Sequence, residues 1–199
     1  VCSVCDETLA RTSFHLFQEA TETDKLFWGR IELKETYSHF YYKKHSAIQA
    51  LLFNLKYKNN PQIGRYFGKE IGSCLKKNTA FTDVDALIPI PLHYKKEFLR
   101  GYNQSAAIAE GISNIPHVPV KNNLVKRIKN TATQTEKTRF QRWDNVNSIF
   151  SVHRSMSKLK HVVFIDDVIT TGSTMETLVH EIKSAAPEIN VSLVSLAIA

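Results

Sequence analysis

The stretch from Val162 to Thr174, Val-Val-Phe-Ile-Asp-Asp-Val-Ile-Thr-Thr-Gly-Ser-Thr, constrains the fold more than any other part of the chain. Its first four residues are apolar without alternation, which predicts a strand buried on both faces, as in a parallel sheet. Two adjacent carboxylates follow, then a hydroxyl-rich turn with one glycine, then an amphipathic run from Met175 to Ala185 carried by Leu178, Val179 and Ile182. A strand that feeds a helix through such a turn is the unit of an α/β sheet, where ligands sit beyond the carboxyl ends of the strands. Hydroxyls, free backbone N–H groups and the positive end of a helix dipole suit a phosphate. Asp166 and Asp167 would repel that phosphate unless they face a hydrogen-bond donor or a cation. A vicinal diol or a divalent ion meets the condition, and ribose 5-phosphate carries the diol and the phosphate together. A solvated Asp pair followed by Thr and Ser caps is the plainer alternative, but it leaves the whole combination unaccounted for. No G-x-G-x-x-G and no G-x-x-x-x-G-K-[ST] is present. A receiver-type Asp pair would stand early in the chain and need a further Asp on a later strand.

The rest of the pattern agrees with an α/β class. Ser46 precedes a stripe of Ile48, Leu51, Leu52 and Leu55, and Asn60-Pro61 opens a second stripe of Ile63, Phe67, Ile71 and Cys74 or Leu75. Asp85 to Pro91 reads as a short buried strand stopped by prolines. Gln104 to Ile112 is a small Ala-rich helix, Leu124–Ile128 and Ser148–Val152 are strands around a polar segment, and Val191–Ile198 is a last strand. The sheet is expected from about residue 85, preceded by a helix-and-strand elaboration that includes an aromatic strand at 36–43. Residues 1–35 lack periodicity and form an N-terminal extension to a domain over 36–199.

Charge is localised. The formal net charge is +7. Residues 121–145 carry seven basic against two acidic side chains, and residues 91–100 three against one, so these two stretches hold the whole excess. An anionic partner, polyphosphate ligand or nucleic acid, is implied, with solvated basic loops as the plain alternative. The longest apolar runs are far short of the roughly 18–20 residues that cross a bilayer, and no secretory pattern opens the chain. Three cysteines make no disulfide framework. The expectation is a cytoplasmic protein without membrane insertion.

The thirteen residues from Val162 resemble the phosphoribosyl pyrophosphate (PRPP) signature of type I phosphoribosyltransferases. Ile88 to Gln104 (IPIPLHYKKEFLRGYNQ) resembles the pyrophosphate-loop region of the competence protein F (ComF) family and, more distantly, of amidophosphoribosyltransferases. Ala50-Leu51-Leu52 with Leu55-Lys56-Tyr57-Lys58 resembles that family's Leu-Lys-Tyr element. Arg127 with Thr131, Gln134, Thr135, Arg139, Arg142 and Asn145 resembles its mobile loop. The resemblance covers roughly residues 40–199 and implies a type I phosphoribosyltransferase-like fold. It assigns Asp166 and Asp167 to the ribose hydroxyls, directly or through Mg²⁺, and Val168, Thr170, Thr171, Gly172, Ser173 and Thr174 to the rest of PRPP. Pro91, Leu92, His93, Lys95 and Lys96 would meet the pyrophosphate, with Arg100 joining the acidic pair in catalysis. Arg127, Gln134, Lys137, Arg139 and Arg142 would close over the site, and residues 129–138 should be mobile without ligand.

The activity so implied is transfer of phosphoribosyl from PRPP to an unidentified nitrogen nucleophile, with pyrophosphate released. The same resemblance implies an alternative: a non-catalytic protein of DNA uptake that meets single-stranded DNA or a helicase partner. A PRPP-sensing regulator is a third reading. Cys2 and Cys5 are half of a tetrahedral zinc site; the family pattern has a further C-x-x-C upstream, so zinc is expected only if residues ahead of Val1 are missing here. His93 is a proton carrier or an idle turn histidine. Phe14, Phe27 and Trp28 stack on bases or pack an extension, and Cys74 belongs to the core.

Overall fold

The computed structural model describes residues 6–14, 20–129 and 148–199. In chain order the principal elements are α1 (Glu22–Phe27), β1 (Thr36–Tyr41), α2 (Ala47–Tyr57), α3 (Pro61–Leu75), β2 (Ala86–Pro89), α4 (Tyr94–Arg100), α5 (Gln104–Ser113), β3 (Val125–Arg127), β4 (Phe150–Val152), β5 (His161–Ile169), α6 (Ser173–Ala185) and β6 (Asn190–Ile198). The protein is α/β: a four-stranded parallel sheet in the order β1-β6-β5-β2 is flanked by helices, and β3 and β4 form a separate antiparallel ribbon.

The apolar run at 162–165 is buried on both faces. Val163 and Ile165 join Leu55, Phe67, Ile71, Ile108 and Ile112 in one core layer, while Val162 and Phe164 join Phe27, Leu178, Val179 and Ile182 in the other. Each strand residue removed from water on such a face contributes about 25 cal/mol per Å² of apolar area. The sheet therefore separates two cores, with α2, α3 and α5 supplying side chains to one and α1 and α6 to the other.

Two expectations need correction. The sheet does not start near residue 85: β1, placed in an elaboration by its sequence, is a full member, pairing Thr36 with Leu193 and Tyr41 with Ile198. Its aromatic composition shows strand propensity but carries no information about a partner more than 150 residues away. Nor does β5 stop before the acidic pair; it continues to Ile169, with Asp166 opposite Ser195. In addition, α1 lies inside the supposedly irregular extension. Its start is a capping box: Thr21 Oγ1 accepts from Asp24 N at 3.1 Å, and the Asp24 carboxylate accepts from Thr21 N at 2.7 Å.

Helices α3 and α5 approach to backbone contact. A Cβ on Gly68 would stand 2.8 Å from the Cα of Gly111, too close for any side chain. At the amino ends of the strands a polar clamp closes the sheet. The ring nitrogens of buried His161 face Asp83 Oδ1 at 3.0 Å and Ser192 Oγ at 2.8 Å, Lys34 Nζ reaches Asp83 at 2.9 Å, and Asp85 accepts from the N–H groups of Lys160 and His161. No helix among the described residues is long and apolar enough to cross a membrane.

Candidate functional site

The site is built where β5 gives way to α6. Asp166 and Asp167 are half-buried at the carboxyl end of a central strand, and Thr170, Thr171 and Ser173 are exposed just beyond it. Gly172 is the N-cap of α6 at φ 73°, a left-handed conformation that favours glycine. A Cβ there would also meet the Phe27 ring at 2.5 Å, so the turn is pressed against α1. Arg30 holds it from outside, donating to the Thr171 carbonyl at 2.9 Å and pairing with Glu176 at 2.6 Å. Thr170 to Met175, with Asp166, Val168 and Leu193, enclose a cavity of about 40 Å³.

The two carboxylates are in different states. Asp166 Oδ1 accepts from the backbone N–H of Asp167 at 2.9 Å and faces the Ser105 hydroxyl at 3.4 Å. Burial pushes its carboxyl up to about 7, and the neighbouring Asp167 charge pushes the same way. Asp167 instead pairs with Lys56 Nζ at 3.0 Å. Sequence patterning flagged the Leu55-Lys56-Tyr57 segment as an element but gave Lys56 no role. The usable signal was its place: beside a core leucine, on the last turn of a helix that ends at the sheet's carboxyl edge.

Pro91 and Leu92 line a second, larger cleft of about 710 Å³ together with Tyr102, Asn103 and Arg127. This cleft adjoins the acidic pair, since Arg127 feels the charge of Asp166 and Tyr102 that of Asp167. The Arg127 guanidinium lies over the Phe150 ring at 5.6 Å, and burial lowers its pKa. The neighbouring candidates are arranged differently. His93 is buried and caps α4, its Nδ1 accepting from Lys95 N at 3.3 Å. Lys95 and Lys96 are exposed. Arg100 donates to Gln104 Oε1 at 2.8 Å and lies over the Tyr57 ring at 5.6 Å.

The Arg-Gly-Tyr-Asn-Gln run is thus a corner. Gly101 turns the chain at φ 80°, the Tyr102 hydroxyl donates to the Leu55 carbonyl, and Asn103 caps α5 while donating to the Ile90 carbonyl at 3.0 Å. It fixes the end of β2 against the end of α2, and so sets where Lys56 and Ser105 stand relative to Asp166. Phe27 and Phe14 are buried, Trp28 is exposed, and Cys74 packs half-buried against the core. Cys2, Cys5, Gln134, Lys137, Arg139, Arg142 and most of the segment 129–138 lie outside the described residues.

A hydroxyl-lined cradle beside an acidic pair stands at the carboxyl end of a parallel sheet, which defines the class as an α/β protein with a candidate ligand site there. No protein-family profile matches the chain. Individual proteins do. Competence protein F of Haemophilus influenzae is 38% identical over 136 residues, 66% of this chain and 59% of that protein. DNA utilization protein YhgH of Escherichia coli (strain K12) is 24% identical over 196 residues, 88% of this chain and 80% of that protein. Competence protein ComFC of Bacillus subtilis is 27% identical over 135 residues, 67% of this chain and 52% of that protein. The match thus spans 59% of the length of the Haemophilus protein. The chain is thus similar to proteins named for competence and for DNA utilization.

Proposed function

We propose that the chain serves competence or DNA utilization, as the names of its relatives state of them, by binding single-stranded nucleic acid. The observation that carries this reading is an exposed strip where α2 meets α4. Phe53 and Tyr57 are 52% and 61% exposed with ring centroids 5.2 Å apart, and Arg100 stacks on the outer face of Tyr57. Lys58 directly follows Tyr57 in the chain, Lys95 and Lys96 are exposed on the same helix as Arg100, and α4 buries none of its side chains. Aromatic faces for bases and cations for phosphates are what a single strand requires, and each stacked base is worth about 1–3 kcal/mol. The test is fluorescence anisotropy of a labelled oligothymidine at two salt concentrations. Tyr57→Ala together with Phe53→Ala should weaken binding roughly tenfold or more, and affinity should fall steeply with salt. Undiminished binding by the double variant would remove this surface from the reading.

A second reading is favoured by the site itself: a type I phosphoribosyltransferase-like fold that binds PRPP. The 40 Å³ cavity would take the 5-phosphate, the acidic pair the ribose hydroxyls, and the 710 Å³ cleft whatever is attached at C1. If transfer follows, the cation-like ribosyl centre formed as pyrophosphate leaves would be stabilised by the Asp166–Asp167 pair and shielded from water by the cleft. A divalent cation held directly by both carboxylates would have to share Asp167 with the Lys56 ammonium. Calorimetric titration with PRPP checks the reading, and an absence of heat at millimolar ligand would end it.

A further inference from the structure

The pair of carboxylates raises a question of charge that the phosphoribosyl reading leaves open. Two adjacent Asp side chains on a central strand, half-buried and facing a ligand site, cannot both carry charge without a counter-ion. The fold supplies one. Lys56 Nζ lies 3.0 Å from Asp167 Oδ1, with the two side chains only 23% and 13% exposed. This is not a mobile surface contact. Leu55, fully buried, and the Tyr102 hydroxyl on its carbonyl pin the last turn of α2. The same corner places Ser105 against Asp166.

We propose that Lys56 is the resident cation of the ribose-binding site, so that a phosphoribosyl ligand lacking a pyrophosphate is held there without any divalent metal. The inference rests on the PRPP reading above and assigns a residue to it. An ammonium has three donors, and one is spent on Asp167. The pairing orients that carboxylate and leaves its second oxygen open to a sugar hydroxyl. Mg²⁺ demands near-octahedral oxygen coordination. Two carboxylates, one already tied to an ammonium, offer few of those oxygens unless the ligand brings a pyrophosphate to complete the shell.

The experiment is calorimetric titration of ribose 5-phosphate into the wild type, Lys56→Gln and Lys56→Arg, each in EDTA and in millimolar Mg²⁺, with circular dichroism to confirm folding. The wild type should bind equally in both buffers. Lys56→Gln should lose roughly tenfold or more in EDTA and recover much of it with Mg²⁺, because the metal then takes the vacant cation's place. Lys56→Arg, which keeps the charge, should stay metal-independent even if Lys56→Gln proves too unstable to titrate. The proposal is overturned if the wild type needs Mg²⁺ for this ligand, or if Lys56→Gln binds as the wild type does. A wild type that binds neither ribose 5-phosphate nor PRPP in either buffer brings down the phosphoribosyl reading as well, which distinguishes the two failures.

Discussion

Each end of the parallel sheet carries two aspartates, and the two ends treat them in opposite ways. At the amino end Asp83 and Asp85 are saturated: His161, Lys34 and two backbone N–H groups donate to them or pair with them. Lys34 and His161 hold the Asp83 carboxyl down to about 2, and Asp85 is lowered by its backbone partners. At the carboxyl end Asp166 has one backbone donor and a long hydroxyl contact, and its pKa rises to about 7. Equal chemistry with unequal satisfaction separates a clamp from a site. The saturated pair holds three strands in register, while the unsatisfied pair keeps bonding capacity for something that arrives later.

The comparison is open to attack from either end. The largest effect is expected from His161→Ala, which empties a buried position and strips Ser192 and Asp83 of a partner. It should cost about 2–4 kcal/mol in chemical denaturation while ligand affinity of the folded protein stays within about twofold. A fully stable variant would show that the clamp is ornamental.

Asp166→Asn should do the reverse. PRPP affinity should fall roughly tenfold to a hundredfold, as expected for loss of a charged hydrogen-bond acceptor worth about 1.5–3 kcal/mol, with no loss of thermal stability at pH 8. Asp167→Asn should weaken binding comparably and leave Lys56 without its partner.

The pH dependence sharpens the contrast further. Because folding raises the Asp166 pKa, the folded protein holds that proton more tightly than the unfolded chain. The resulting stabilisation is complete below the unfolded carboxyl value and is lost as pH rises toward about 7. Asp83 and Asp85, both lowered, run the other way: their contribution is present above the ordinary carboxyl range and fades as pH falls, for Asp83 toward about 2. Melting temperatures followed from pH 4 to pH 8 should therefore decline from about pH 4 to about pH 7 in the wild type, level off above that, and show no such decline in Asp166→Asn. A persistent decline in the variant would assign the effect to another group. Smallest of all should be Lys34→Met, whose partner Asp83 is 60% exposed; a change above about 1 kcal/mol would contradict the ordinary weakness of such pairs.

Much of this was legible beforehand, for reasons that can be named. Val162–Ile165 announced a doubly buried strand because no polar residue interrupts it, and the stripes of α2 and α3 followed from helical spacing. The hydroxyl turn was readable because its chemistry is local. What escaped was non-local. The partnership of β1 with β6 depends on chain closure rather than on any property of Thr36–Tyr41. The capping box at Thr21 was visible in principle, but only six residues follow it before the helix ends. Lys56 reads as one more lysine on a helix until the corner at Gly101–Gln104 brings it to Asp167. Lys95, Lys96 and Arg100, grouped by sequence with the pyrophosphate-loop region, stand on a helix that buries no side chain, with Arg100 over the Tyr57 ring.

The position of β6 has a consequence for how the molecule comes into being. It runs between β1 and β5, while the other edge of β1 is met by a short antiparallel contact from residues 10–12. On a ribosome, β1 emerges with only that local contact and must wait for residues 190–198 to gain its partner in the sheet. For most of its synthesis the nascent chain holds an aromatic strand with an open edge, an invitation to mispairing that helices alone do not pose. Assembly of this sheet is therefore tied to the emergence of β6.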